Sequence, residues 1–231
     1  MTWSLLEFGS REELDKTLAH DVAKALAQSL ESKGRGTLAV SGGKTPTGFF
    51  GQLSREEIAW QDVTITLADD RCVPEDSEDS NARLVRDVLL QNRAATAHFE
   101  PLSSACDEPD TQRLESHFRR QGYLPLDALV LGMGNDGHTA SLFPCAPTIA
   151  LLMQQNCTCL FAKVQPATAP WKRVTFTPPA LLEAGRIFLH VVGMEKLTVL
   201  EKAVTGSILT EMPIRAFLLD PARHITIYWA P

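Results

Sequence analysis

Short apolar runs recur along this chain, and most are followed by a glycine- or charge-rich turn and then by a segment with helical spacing. The runs at 37–40, 63–67, 128–131, 186–192 and 225–229 read as strands, and a shorter run at 3–8 reads as a first or edge strand. Between them, Ser10 and Glu13 form a capping box, and Leu14, Leu18, Val22, Leu26 and Leu30 recur every four residues until Gly34 stops the helix. Pro46 suits the first turn of the next helix, with Phe49, Phe50 and Leu53 on its apolar face. Asp79-Ser80-Asn81 can cap a helix to about residue 90. A loop follows at 100–110, then a polar helix at 111–120 with Leu114 and Phe118 inward. A strand at 158–164, a short helix at 178–183 and a helix opened by Gly193 that runs through 203 complete the pattern. Strands alternating with helices at this rhythm predict an α/β fold: a mostly parallel sheet with helices on both faces. With no internal repeat and no linker-like tract, the 231 residues are expected to form one domain, 1–231.

Composition narrows the function classes. The chain is 44% apolar and 22% charged, as ordinary globular domains are. No apolar run is long enough to span a membrane, and the N-terminal segment has no basic stretch leading into an apolar one, so a cytoplasmic protein is expected. A formal charge of -6 argues against nucleic acid as a partner. An anionic ligand must then be held by a local cluster of bases. The five cysteines, at 72, 106, 145, 157 and 159, include no C-x-x-C pair and read as reduced thiols. Cys157 and Cys159 should share one face of the strand at 158–164. Nothing in the residues signals a particular oligomeric state.

In open α/β sheets a ligand lies beyond the carboxyl ends of the strands. Four polar clusters fall there: Ser41-Gly42-Gly43-Lys44-Thr45, Asp69-Asp70-Arg71, Asn135-Asp136-Gly137-His138 and Gly193-Met194-Glu195-Lys196. The third has the most chemical content. The apolar run ending at Leu131 feeds LGMGNDGHTASLFP (131–144), which reads as a turn opening a helix. Such a turn bares backbone amides and the positive end of a helix dipole, a setting that favours a neutral His138. A neutral imidazole beside Asp136 is what a general base for water needs.

Several motif readings fail on their own requirements. Gly132, Gly134 and Gly137 spell the dinucleotide fingerprint, but the first acidic residue after Asp136 is Glu183, too far on to hold a ribose. Gly43-Lys44-Thr45 resembles the end of a P-loop, yet the glycine required five residues earlier is Leu38. A shorter anion cradle at Ser41, Gly42, Gly43 and Lys44 remains, since two glycines let backbone amides approach an anion closely. There is no G-x-S-x-G elbow, and His20, His98, His117, His138, His190 and His224 show no metal-ligand spacing. His190, inside IFLHVV, reads as a core histidine; His20 and His117 read as helix-surface residues.

Five motifs together resemble the 6-phosphogluconolactonases related to glucosamine-6-phosphate deaminase. They are SGGKTP (41–46), DDRCVP with SNARL (69–74, 80–84), GMGNDGHTASLFP (132–144), RVTFTPPALLEA (173–184) and VVGMEKLTVLEKA (191–203). The resemblance covers nearly the whole chain. It implies a Rossmann-like three-layer α/β/α sandwich and hydrolysis of a phosphorylated sugar lactone, 6-phospho-D-glucono-1,5-lactone, with no metal or organic cofactor. His138 would act as general base, with Asp136 orienting it or holding the water. Asp69 would bind sugar hydroxyls. Arg71, Arg173 and Lys196, with the Gly42 and Gly43 amides, would contact the phosphate and the oxyanion. Deaminases of this superfamily read like GHIAFNEP where this chain has GHTASLFP, so their ring-opening acid falls on Phe143. Lactonases usually read Asp-Glu-Arg at 69–71, and the shorter Asp70 here changes what that carboxylate reaches. A sugar-phosphate isomerase or deaminase and a non-catalytic sugar-phosphate sensor are the alternative readings.

Overall fold

The computed structural model describes residues 3–102 and 110–231; Cys106 and most of the loop expected at 100–110 lie outside the described residues. Seven strands form one all-parallel sheet: β1 (Trp3–Glu7), β2 (Gly36–Val40), β3 (Val63–Leu67), β5 (His98–Glu100), β6 (Ala128–Leu131), β9 (Arg186–Val192) and β10 (Ile225–Ala230). Their order across the sheet is β1-β10-β9-β6-β2-β3-β5. The chain builds outward from β2 through β3 to β5, then returns to lay β6 on the other side of β2. That reversal makes the β2/β6 boundary a topological switch point, where a crevice opens at the strands' carboxyl ends.

The long helix α1 (Arg11–Lys33) begins at Ser10, whose hydroxyl accepts from the Glu13 amide at 3.2 Å. It ends at Gly34, whose φ of 70° is left-handed and whose amide returns to Leu30 at 2.9 Å. Its stripe of Leu14, Leu18, Val22 and Leu26 is wholly buried, and the helix lies across β2, β6, β9 and β10. Each such side chain contributes about 1.5–3 kcal/mol. The helix α2 (Thr47–Leu53) packs against α1 and buries Phe49, Phe50 and Leu53.

The remaining helices are α3 (Asn81–Leu84), extended by a π-helical turn at Val85–Leu89, α4 (Thr111–Gln121), α5 (Ile149–Leu152), α6 (Pro178–Leu182), α7 (Met194–Thr205) and α8 (Arg215–Leu218). Ser80 caps α3, and Phe118 of α4 is buried, both as expected. Among the described residues no helix is long and apolar enough to cross a membrane.

Three differences from the sequence reading matter. A second, antiparallel sheet, β4-β8-β7, is built from β4 (Asp69–Arg71), β8 (Arg173–Phe176) and β7 (Phe161–Val164). The short strands β4, β5 and β8 and the helix α8 carry no periodicity long enough to predict them. The strand expected at 158–164 begins only at Phe161, so Cys157 and Cys159 lie outside the ladder, although their sulfurs approach to 3.4 Å. No helix opens at His138: the chain turns back on itself, and α5 starts only at Ile149.

Candidate active site

A cleft opens at the switch point, where the ends of β2, β6 and β9 meet the edge of the small sheet. The loop after β6 supplies its most reactive wall. There the Gly134 amide donates to the His138 carbonyl at 2.9 Å and the Gly137 amide to the Gly134 carbonyl at 3.1 Å. The Thr139 hydroxyl donates to the Gly132 carbonyl at 2.8 Å, and Thr139 and Leu142 form an isolated antiparallel bridge. These bonds close the segment into a tight loop, which is why it does not run on into a helix. The helix-dipole argument for a neutral His138 therefore falls.

The glycines have a concrete reason. A Cβ on Gly134 would stand 2.1 Å from His138 Nδ1 and 2.7 Å from Asp136 Oδ1. The imidazole lies over the bare backbone. Asp136 Oδ1 accepts from the His138 amide at 3.1 Å and sits 2.6 Å from His138 Nδ1. One carboxylate thus fixes both the main chain and the ring. Partial burial works to raise the Asp136 carboxyl, but the hydrogen bonds and charge of His138 together outweigh it and hold the group below its ordinary value. With Nδ1 engaged, Nε2 makes no protein hydrogen bond among the described residues. It is the nitrogen free to handle a proton.

The opposite wall is cationic. Arg71 and Arg173 are register partners across β4 and β8. Arg71 Nη1 donates to the Asp79 carbonyl at 2.5 Å, while the Nε atoms of both arginines are buried without a partner. Burial lowers the Arg173 guanidinium from its ordinary value, and nearby Arg71 adds to this, while Asp69 opposes it. Asp69, also on the wall, accepts from the Ser141 hydroxyl through Oδ2 and lies 3.9 Å from Arg173 Nη1. Lys196, from the first turn of α7, reaches across to the Met133 carbonyl at 2.9 Å and to Asn135 Oδ1 at 2.5 Å. Burial lowers its ammonium too, against Glu195 and Asp136.

Of the residues singled out from the sequence, Ser41, Gly42, Asp69, Arg71, His138, Arg173 and Lys196 line the cleft, and Asp136 supports it from behind His138. Gly43 and Lys44 do not line it. Gly43 turns the chain with φ of 91°, and the exposed Lys44 offers its carbonyl to the Arg11 guanidinium and the Thr47 hydroxyl. Gly42 is a required glycine: a Cβ there would meet the Asn81 side-chain oxygen at 2.0 Å. Asn81 in turn donates to the Asp69 carbonyl at 2.9 Å, so it ties the glycine loop to β4. Asp70 points away from the cleft and caps α3, accepting from the Asn81 amide at 2.8 Å and the Ala82 amide at 3.3 Å. His117 is half-buried, not a plain surface residue, with Nε2 3.2 Å from Glu100. His190, read as a core histidine, forms part of the cleft wall. Among the described residues no three His, Cys, Asp or Glu side chains gather as metal ligands would.

Comparison with known proteins agrees with this architecture. Residues 9–229 match the family model described as glucosamine-6-phosphate isomerases/6-phosphogluconolactonase. The 6-phosphogluconolactonase of Pseudomonas putida is 42% identical over 229 residues, covering 97% of this chain and 92% of that protein. That of Rhizobium meliloti is 41% identical and covers 97% of each. The crystal structure of a 6-phosphogluconolactonase from Shewanella baltica superimposes with a TM-score of 0.91 at 37% identity, covering 98% of this chain and 97% of that one. A monomeric glucosamine-6-phosphate deaminase shares the fold, with a TM-score of 0.76 at 19% identity over 98% of this chain and 97% of its own. A match across nearly the full length, in sequence and in fold, places this chain in the glucosamine-6-phosphate isomerase/6-phosphogluconolactonase family.

Proposed function

We propose that this chain hydrolyses 6-phospho-D-glucono-1,5-lactone to 6-phosphogluconate, the lactone-opening step of the oxidative pentose phosphate pathway. The observation that carries the reading is the Asp136–His138 pair, 2.6 Å apart, facing two arginines across a cleft. His138 Nε2 takes a proton from water, and the resulting hydroxide attacks the lactone carbonyl. The tetrahedral oxyanion meets the unpaired N–H groups of Arg71 and Arg173. When the intermediate collapses, the imidazolium returns its proton to the departing ring oxygen. Asp136 holds the ring in one orientation and stabilises the imidazolium between these steps. Lys196, Ser41 and the Gly42 amide hold the phosphate, and Asp69 binds sugar hydroxyls.

The family's other chemistry, ring opening and deamination, needs a carboxylate where this chain has Phe143, which cannot carry a proton. The cleft's size and local positive charge suit a small phosphorylated sugar, and the acidic chain as a whole disfavours nucleic acid. The thiols of Cys145, Cys157 and Cys159, none of them in a disulfide, fit a reducing cytoplasm as the site of the reaction. His138→Ala should lower kcat by ~10²–10⁴ with product binding largely kept, because general-base help is lost while the binding groups stay. Acid release from freshly made lactone, corrected for spontaneous hydrolysis, measures it. Near-normal turnover would remove His138 from the mechanism. Robust ammonia release from glucosamine 6-phosphate by the unmodified protein would overturn the lactonase reading.

A further inference from the structure

Behind the cleft lining, at His190, sits a buried ionisable pair that the reaction above does not use. His190 lies within β9 and is only 3% exposed, and Asp15 of α1 is only 4% exposed. His190 Nε2 is 3.3 Å from Asp15 Oδ1, without the alignment of a hydrogen bond. Burying two such groups costs free energy unless their polar atoms find partners. The surrounding chain is nevertheless shaped to keep them. A Cβ on Gly48 would stand 2.0 Å from Asp15 Oδ2, so a glycine at the start of α2 makes room for this carboxylate. The Phe49 ring packs edge-on against the imidazole at 5.9 Å and 74°, fixing its plane. Arg11 Nε, 3.6 Å from Asp15 Oδ2, is the other charged group at the pair.

Neither nitrogen of this imidazole has a hydrogen-bond partner. His190 Nδ1 is buried and unpartnered, and the residue belongs to the cleft lining. The Ser41 hydroxyl, on the same wall, is also buried without a partner. Among the described residues the Gly42 amide donates to no backbone acceptor. With Lys196 on the wall as well, every one of these groups is able to donate, and a ligand rich in acceptor oxygens satisfies them together. We propose that His190 is a phosphate-binding residue, donating from Nδ1 to an oxygen of the substrate's phosphate, and that Asp15, 3.3 Å from Nε2, is the positioning residue beside it. This rests on the phosphorylated-lactone reading and adds a ligand to it.

The test uses side-chain nitrogen spectra of the labelled wild-type protein, with the His190 signals assigned through their contact with the Phe49 ring. Titration with inorganic phosphate and with 6-phosphogluconate should move the Nδ1 signal to saturation, whereas gluconate should leave it in place. His190→Gln should raise KM for the lactone by about tenfold or more, as loss of a hydrogen bond to a charged group does, and by more than it lowers kcat. Asp15→Asn should raise KM in the same direction by less. A fixed Nδ1 signal at saturating phosphate overturns the inference, and so does a folded His190→Gln protein with unchanged KM. A signal that responds to gluconate as strongly as to 6-phosphogluconate also overturns it, because the ring would then bind sugar hydroxyls. A wild-type protein that does not hydrolyse the lactone refutes the lactonase reading instead, and the phosphate titration is read independently of turnover.

Discussion

Phe143 links the two charged halves of the cleft. Its ring is 4.1 Å from the His138 ring at 24°, and the Arg173 guanidinium lies 4.9 Å from its centre. An aromatic face attracts a cation, so this ring favours His138 most when it becomes imidazolium, between the two proton transfers. It also packs against Arg173, whose Nε is buried without a hydrogen-bond partner. Phe143→Leu keeps most of the volume but loses the π face. It should lower kcat by about twofold to thirtyfold, since an interaction of about 0.5–2 kcal/mol is removed, and Phe143→Tyr should restore most of the loss. Phe143→Glu should not create a deaminase. The position is only 6% exposed, and a carboxylate there would engage both His138 and Arg173 and compete with Asp136 for the base. Steady-state lactonase kinetics beside a coupled ammonia assay check all three variants. An unchanged kcat in Phe143→Leu would reduce the ring to packing.

At the scale of elements, the small sheet and α3 meet at Asp70. Its Oδ1 accepts from the Arg71 and Asn81 amides, each at 2.8 Å, and Oδ2 from Ala82 at 3.3 Å. Burial nevertheless pushes its carboxyl up to about 6, with Asp69 adding to the rise against those amides. A group raised in the folded state stabilises the fold fully below its unfolded value of 3.8, and that contribution is lost as pH rises through about 6. Asp70→Asn does not titrate. Its stability deficit relative to wild type should therefore shrink by about 3 kcal/mol between pH 3.5 and pH 7.5, which urea unfolding at the two pH values measures. A deficit that grows with pH would mean that the three amides outweigh burial. This capping role also accounts for the short side chain, because a Glu at 70 would reach one methylene further than the α3 amides require. Long apolar runs such as IFLHVV made the parallel strands other than β5 legible in the sequence, and residue type marked Asp136, His138, Arg71 and Lys196, whereas Arg173 stood out only through the motif resemblance. The small sheet was not legible, because three- and four-residue strands such as Asp69–Arg71 show no periodicity and pair with segments distant in the chain. TASLFP imitates a helix start, and only the Gly134–His138 bond shows that the chain closes into a loop instead. His190 was hidden by its apolar neighbours, since nothing local reveals that Asp15 lies beside it. Gly43 and Lys44 were misplaced because a motif does not show which way a glycine turns the chain.

For the whole molecule, the consequence is that neither sheet lines the cleft alone. The parallel sheet brings Ser41, His138, His190 and Lys196 to the cleft, and the antiparallel sheet brings Asp69, Arg71 and Arg173. The Ser141 amide donates to the Thr175 hydroxyl on β8 at 3.3 Å, and the Phe176 amide donates to the Ala68 carbonyl at 3.0 Å, so β8 is tied to the loop after β6 and to the residue that follows β3. We infer one cooperative domain over 1–231, with the ligand bridging its two parts. A ligand that binds only the native state stabilises it by RT ln(1 + [L]/Kd), about 2.7 kcal/mol at a hundredfold excess over Kd. For a domain of this size each kcal/mol moves Tm by roughly 2–4 °C. Saturating 6-phosphogluconate should therefore raise a single thermal transition by about 5–10 °C, with the calorimetric and van't Hoff enthalpies equal with and without ligand. Gluconate at the same concentration should raise it far less, since it has no phosphate to engage Lys196, Ser41 and the Gly42 amide. Arg173→Leu should shrink the shift produced by 6-phosphogluconate while keeping one transition, because it removes a cation the small sheet contributes without unstitching the backbone. Two resolved transitions, only one of them moving with 6-phosphogluconate, would show that the sheets unfold separately and that the cleft is an interface between domains.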